Sequence, residues 1–252
     1  MDTWLEIGGL AIHSPVTALT NLVLTVQCWI YYRRLRNGSL DGAGYWSLFF
    51  LAMAATTLGG VPKHGFKDVM SAELYSTVLW ISCLGSGVAV YCAQHATLVS
   101  HRLARTRMWS PGLPGRGDWL GVLPAMQAAA YLGAATLWGP EMLLTAANTA
   151  LGLSPIMVVE AVRLRRGPSV GGWVLAGLGV SLFTGVVYVG HLSMGVWFNH
   201  VDLAHVLMGI SFWLMVRGAG AHPVVASSGP RSAGIHVGEA VETLAADLGG
   251  RA

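Results

Sequence analysis

Seven apolar runs alternate with short polar breaks along the chain, each close to the length of about 20 residues that an α-helix needs to cross a bilayer. The runs lie at roughly 14–33, 43–63, 73–99, 118–138, 141–162, 170–190 and 200–217. Breaks fall at "RRLRNGSLDGAG", "SPGLPGRGD", "WGP" and "RLRRGPS", where Pro, Gly and Asn supply turn chemistry and arginines supply charge that lipid excludes. Helices apolar on every side belong in a membrane or a large core. The pattern predicts an all-α, polytopic membrane protein, with a seven-helix transmembrane bundle over residues 1–218. A polar tail follows at 219–252, flexible except for one short amphipathic helix over "IHVGEAVETLAADL". The third run is long enough to tilt or to project beyond the bilayer.

Composition agrees: 54% of the 252 residues are apolar and 11% charged, against about 25% charged in an ordinary soluble domain. Basic residues in short loops set orientation. Arg33, Arg34 and Arg36 follow the first run; Arg102, Arg105, Arg107 and Arg116 separate the third and fourth; Arg163, Arg165 and Arg166 follow the fifth; Arg217 ends the seventh. Seven crossings put all of these on one side and leave only Lys63 and Lys67 on the other. The expected topology is N-terminus out and C-terminus cytoplasmic, in the plasma (inner) membrane if the chain is bacterial. These clusters account for the net charge of +3, so no nucleic-acid partner is expected. "MDTWLEIGGL" is acidic and lacks the basic start of a cleaved signal peptide. Cys28, Cys83 and Cys92 lie inside apolar runs and read as small buried residues. Runs of Gly and Ala such as "LAGLGVSLFTG" let helix backbones approach closely.

On this topology His13, His64, His191, His200 and His205 fall near the outer face, as do Asp68, Glu73 and Asp202. Ionisable groups at membrane depth usually face the bundle interior or a wet cavity. Imidazoles with a carboxylate and one open position are also the layout of a catalytic zinc site, where the metal activates water and polarises a carbonyl. Structural readings stand beside this one. Asn199 and Asp202 have the spacing of a helix N-cap pair. His200, His13 and His191 can sit in the interface, and His64 beside Lys63 and Lys67 can be a solvated helix end. His205, inside an apolar run, needs a polar partner. Asp202 and His205 share a helical face. His200 and His205 are about 140° apart around an ideal helix, so both face one ion only if His200 precedes the regular helix.

"GGVPKHGF", with His64, and "FNHVDLAH", with His200 and His205, together with seven spans, resemble the alkaline ceramidase and progestin-and-adiponectin-receptor group of membrane hydrolases. The expected orientation matches its ceramidase branch. The resemblance implies a zinc ion held by His64, His200 and His205, and cleavage of a lipid amide. Asp202 is the alternative ligand to His200, and Glu73 or Asp68 would be the general acid–base group. The family's serine one turn before the first histidine is Gly60 here, and its last two histidines are four apart rather than five. Two other functions fit the same residues: a non-catalytic lipid-binding receptor or scaffold, and a redox protein holding haem b between His64 and His205. A retinal protein is disfavoured because the seventh run lacks a lysine.

Overall fold

A Gly8–Gly9 pair turns the first described residues back on themselves. Both glycines have positive φ, 58° and 81°, as a tight two-residue hairpin turn requires. Strand β1 (Trp4–Ile7) pairs antiparallel with β2 (Leu10–His13), Trp4 opposite His13. This hairpin was not among the expected elements; its signal is the Gly-Gly pair between short apolar runs in "WLEIGGLAIH". The computed structural model describes residues 4–37, 42–108, 122–165, 171–195 and 197–220.

Among the described residues seven helices follow: α1 (Pro15–Leu35), α2 (Gly42–Gly65), α3 (Ala72–Met108), α4 (Val122–Trp138), α5 (Met142–Arg165), α6 (Gly171–Val189) and α7 (His200–Gly220). Each overlies one of the seven apolar runs. Pro15 opens α1, where its missing N–H costs nothing. Arg33 and Arg34 close α1, favourably placed at the negative end of its dipole. With 37 residues α3 is about 55 Å long at 1.5 Å per residue, well beyond a hydrocarbon core of about 30 Å. Helices α2, α3, α5, α6 and α7 are long and apolar enough to cross a membrane. As described, α4 has 17 residues. Helix α1 carries Thr17, Thr20, Asn21, Thr25 and Gln27 among its apolar residues. The residues of the expected tail beyond Gly220, with its short helix, lie outside those described.

Helices α1, α2, α3, α5, α6 and α7 each pack against the next, α7 returns to α1, and α4 lies against α3 and α5. The exterior is apolar: Leu137, Leu143, Leu151 and Val189 are all more than two-thirds exposed, as lipid-facing residues are. The two ends of the ring differ. Near the start of α2 and the end of α7, Trp46, Phe49, Phe50 and Phe212 meet edge to face, over buried Met215, Leu178 and Ile156. Cys28, Cys83 and Cys92 are buried and free, as expected. The opposite end, where α1 and α7 begin and α2 finishes, is polar.

Candidate functional site

Helix α7 begins with a reciprocal cap. Asn199 Oδ1 accepts from the Val201 and Asp202 amides at 2.8 and 3.2 Å, and Asp202 Oδ2 accepts from the Asn199 amide at 2.9 Å. Orphan amides of the first turn are thereby satisfied. The other carboxylate oxygen of Asp202 accepts from Thr17 Oγ1 on α1 at 2.7 Å. Asp202 is fully buried and both its oxygens are engaged. Its role is to cap α7 and tie it to α1.

His205 lies one turn deeper, with Nδ1 2.8 Å from Thr20 Oγ1. The Thr20 hydroxyl donates to the Thr17 carbonyl at 3.0 Å, so the assignment that satisfies both bonds makes His205 Nδ1 the donor. His64, in the last turn of α2, approaches His205 edge to face with ring centres 6.4 Å apart. Three helices thus meet at Thr20, His64 and His205. Asn21 completes the contact. Its side chain lies over Gly60, where a Cβ would stand 2.4 Å from Asn21 Oδ1. Gly60 is what allows α1 and α2 to approach here.

His200 does not join this pair. Its ring stands 4.5 Å from that of His191 and 5.6 Å from that of Tyr188. It is the first residue of a regular helix, so the rotation between His200 and His205 keeps the two apart. His191 has a positive φ of 49°. The Leu192 amide reaches back to the Val187 carbonyl at 3.1 Å, the closing bond of a helix C-terminal motif. Asp68 and Glu73 are exposed, on the turn after α2 and in the first turn of α3, and neither is among the residues lining the cleft described next. On α3, Gln94 bonds Gln127 and the Gly152 carbonyl, and His95 packs between Tyr45 and Tyr91.

A cleft of about 670 Å³ opens at this polar end. His13 and Ser14 line it from the hairpin side, Thr17 from α1, His64 from the last turn of α2 and Lys67 from the turn just after it. Ser193, Asn199 and His200 line the opposite wall. Three imidazoles, a lysine, three hydroxyls and an amide therefore converge, and no carboxylate lies among the described lining residues. Ser14, Thr17 and Ser193 were absent from the sequence-based site. For α1 the signal was legible: Thr17, Thr20, Asn21 and Gln27 recur at helical spacing in an apolar run, and Gln27 likewise bonds α7, at the Gly209 carbonyl.

The donors do not fit the expected zinc site. Among the described residues no group of three or more His, Cys, Asp or Glu is placed to hold a metal ion. Two imidazoles on one tetrahedral zinc, with Zn–N bonds of about 2.0–2.1 Å, hold their ring centres about 5 Å apart. His64 and His205 are wider than that, His200 points elsewhere and Asp202 is spent. Nor does the cleft suit haem between His64 and His205, because it touches His64 but not His205.

The profile of a family described as "Family of unknown function (DUF6962)" matches residues 16–222. The chain belongs to that family, whose matched region takes in the whole helical bundle. No curated protein and no solved structure matches the chain.

Proposed function

We propose that this protein is a seven-span membrane protein, N-terminus outside and C-terminus cytoplasmic, that binds the anionic head of an amphiphilic ligand at its outer end. It acts as a lipid-binding receptor or scaffold. Positive residues at the ends of α1, α5 and α7 support the orientation. Exposed Leu19, Leu22, Val23 and Val26 on α1, and Met126 and Leu137 on α4, support crossings by those two helices as well.

The observation that carries the binding reading is the chemistry of the cleft wall: imidazoles, Lys67, the serine hydroxyls and an amide, with no carboxylate among the described lining residues. Such a wall favours a phosphate or carboxylate through charge-assisted hydrogen bonds. The cleft also adjoins the first turn of α7, the positive end of that helix's dipole. Asp202 sits behind this wall, its two oxygens held by Thr17 and the Asn199 amide, and is not itself a lining residue. A bilayer supplies ligands whose charged head lies at this depth.

The test uses purified full-length protein in nanodiscs, with a radiolabelled single-chain phosphate lipid, its neutral glycerol counterpart and a lipid amide. Saturable binding of the phosphate lipid, about tenfold tighter than the neutral one and weakened in Lys67→Ala and His64→Ala, is the expected result. Equal binding of charged and neutral lipids would overturn the proposal. Zinc-dependent turnover of the amide would restore the hydrolase reading in its place.

A further inference from the structure

Val206, Ile210 and Trp213 form an exposed stripe along α7 at spacings of four and three, and Arg217 follows one turn on, towards the other end of the bundle. Arg217 therefore ends that exposed apolar row in the last turn of α7. Its guanidinium lies over two indoles, 4.1 Å from the Trp213 ring centre and 5.3 Å from that of Trp173 on α6. The two rings meet edge to face at 6.4 Å, and each residue is more than two-fifths exposed. Trp at this depth is an interfacial anchor, and a guanidinium stacked on an indole is held by its ring quadrupole.

A guanidinium that lies over an indole still offers its N–H edge to a further partner. That edge presents paired donors in the fork geometry that matches a phosphate. Among the described residues no carboxylate is within ion-pair distance of Arg217; the one described ion pair joins Arg163 to Glu160. Trp173 lies in the first turn of α6, so the positive pole of that helix faces the same place. A fixed cation, two exposed indoles and a helix N-terminus thus come together on the lipid-facing surface.

We infer that Arg217, Trp173 and Trp213 form a binding site for the phosphate of an anionic phospholipid in the leaflet at the basic end of the bundle. The site is independent of the cleft at the opposite end. Its occupant is a lipid headgroup rather than free phosphate, because the indoles extend the contact into the apolar phase where a diffusible anion gains nothing.

Native mass spectrometry of the full chain released from nanodiscs of mixed phosphatidylglycerol and phosphatidylcholine tests this. Wild type is expected to retain phosphatidylglycerol over phosphatidylcholine. Arg217→Ala should lower that retention about fivefold, the contribution of one cation at an anionic surface. Arg217→Lys should recover it in part, since an ammonium keeps the charge but not the fork. Circular dichroism confirms folding of each variant. Undiminished retention in folded Arg217→Ala would overturn the inference. So would displacement of the lipid by millimolar inorganic phosphate, which would show a diffusible-anion site.

Discussion

Thr17 donates to Asp202 at 2.7 Å across the α1–α7 interface, linking residues 185 positions apart. Both are almost wholly buried, and the same carboxylate caps α7 through its other oxygen. One side chain therefore starts a helix and positions its neighbour. Replacing Thr17 with Val keeps the shape but strands a buried carboxylate oxygen, a loss of about 1–3 kcal/mol. Denaturant titration in mixed micelles should show it as a lowered midpoint. Asp202→Ala should cost more, because the cap is lost with the interhelical bond.

Gly60 should be intolerant of a side chain. A methyl group there meets Asn21 Oδ1 at 2.4 Å, and Asn21 is buried and held to the Thr17 carbonyl. Gly60→Ala is expected to destabilise the protein by about 1–3 kcal/mol through overpacking. Adding Asn21→Ala should recover part of that loss, giving a non-additive double-mutant cycle. Full additivity would mean that the two residues do not share the contact.

The α6–α7 interface separates hydrogen bonding from packing. Ser211 donates to the Gly177 carbonyl at 2.8 Å and lies 2.7 Å from Ser181 Oγ. Interhelical hydrogen bonds between membrane helices average about 0.6 kcal/mol, so Ser211→Ala should be mild. A Cβ at Gly177 stands 2.8 Å from the Ser211 carbonyl oxygen and 2.7 Å from Met215 Cγ. Gly177→Val should therefore be the more damaging of the two, measured by thermal unfolding in the same detergent. The reverse order would assign the contact to the serines.

Zinc content distinguishes the two arrangements of the histidines. With His200 turned to His191 and Asp202 engaged in its cap, metal analysis of purified protein should give far less than one zinc per chain. His205→Ala should leave that figure unchanged while lowering stability, because the bond to Thr20 is lost. Stoichiometric zinc that falls in His205→Ala would require the end of the bundle to rearrange around the ion.

The helical fold was legible in the amino-acid sequence because lipid imposes a local rule. Each crossing must be a long apolar segment that satisfies its own backbone, and such segments can be counted without knowing their neighbours. The N-cap pairing of Asn199 with Asp202 was legible for the same reason, since its partners lie three residues apart. The hairpin at Gly8–Gly9 was also local, although its short strands are easily passed over beside long apolar runs. The composition of the polar end was not local. Depth along the membrane brought His64, His200 and His205 to one level, but depth does not say which way a side chain points. Rotation about the α7 axis separated His200 from His205. Close packing at Gly60 brought α1 against α2, and with it Thr17 and Thr20, which hydrogen-bond Asp202 and His205. Sequence alone thus determined which residues share an end of the bundle; only tertiary packing decided which of them touch, because contact depends on helix rotation and on which neighbour stands between.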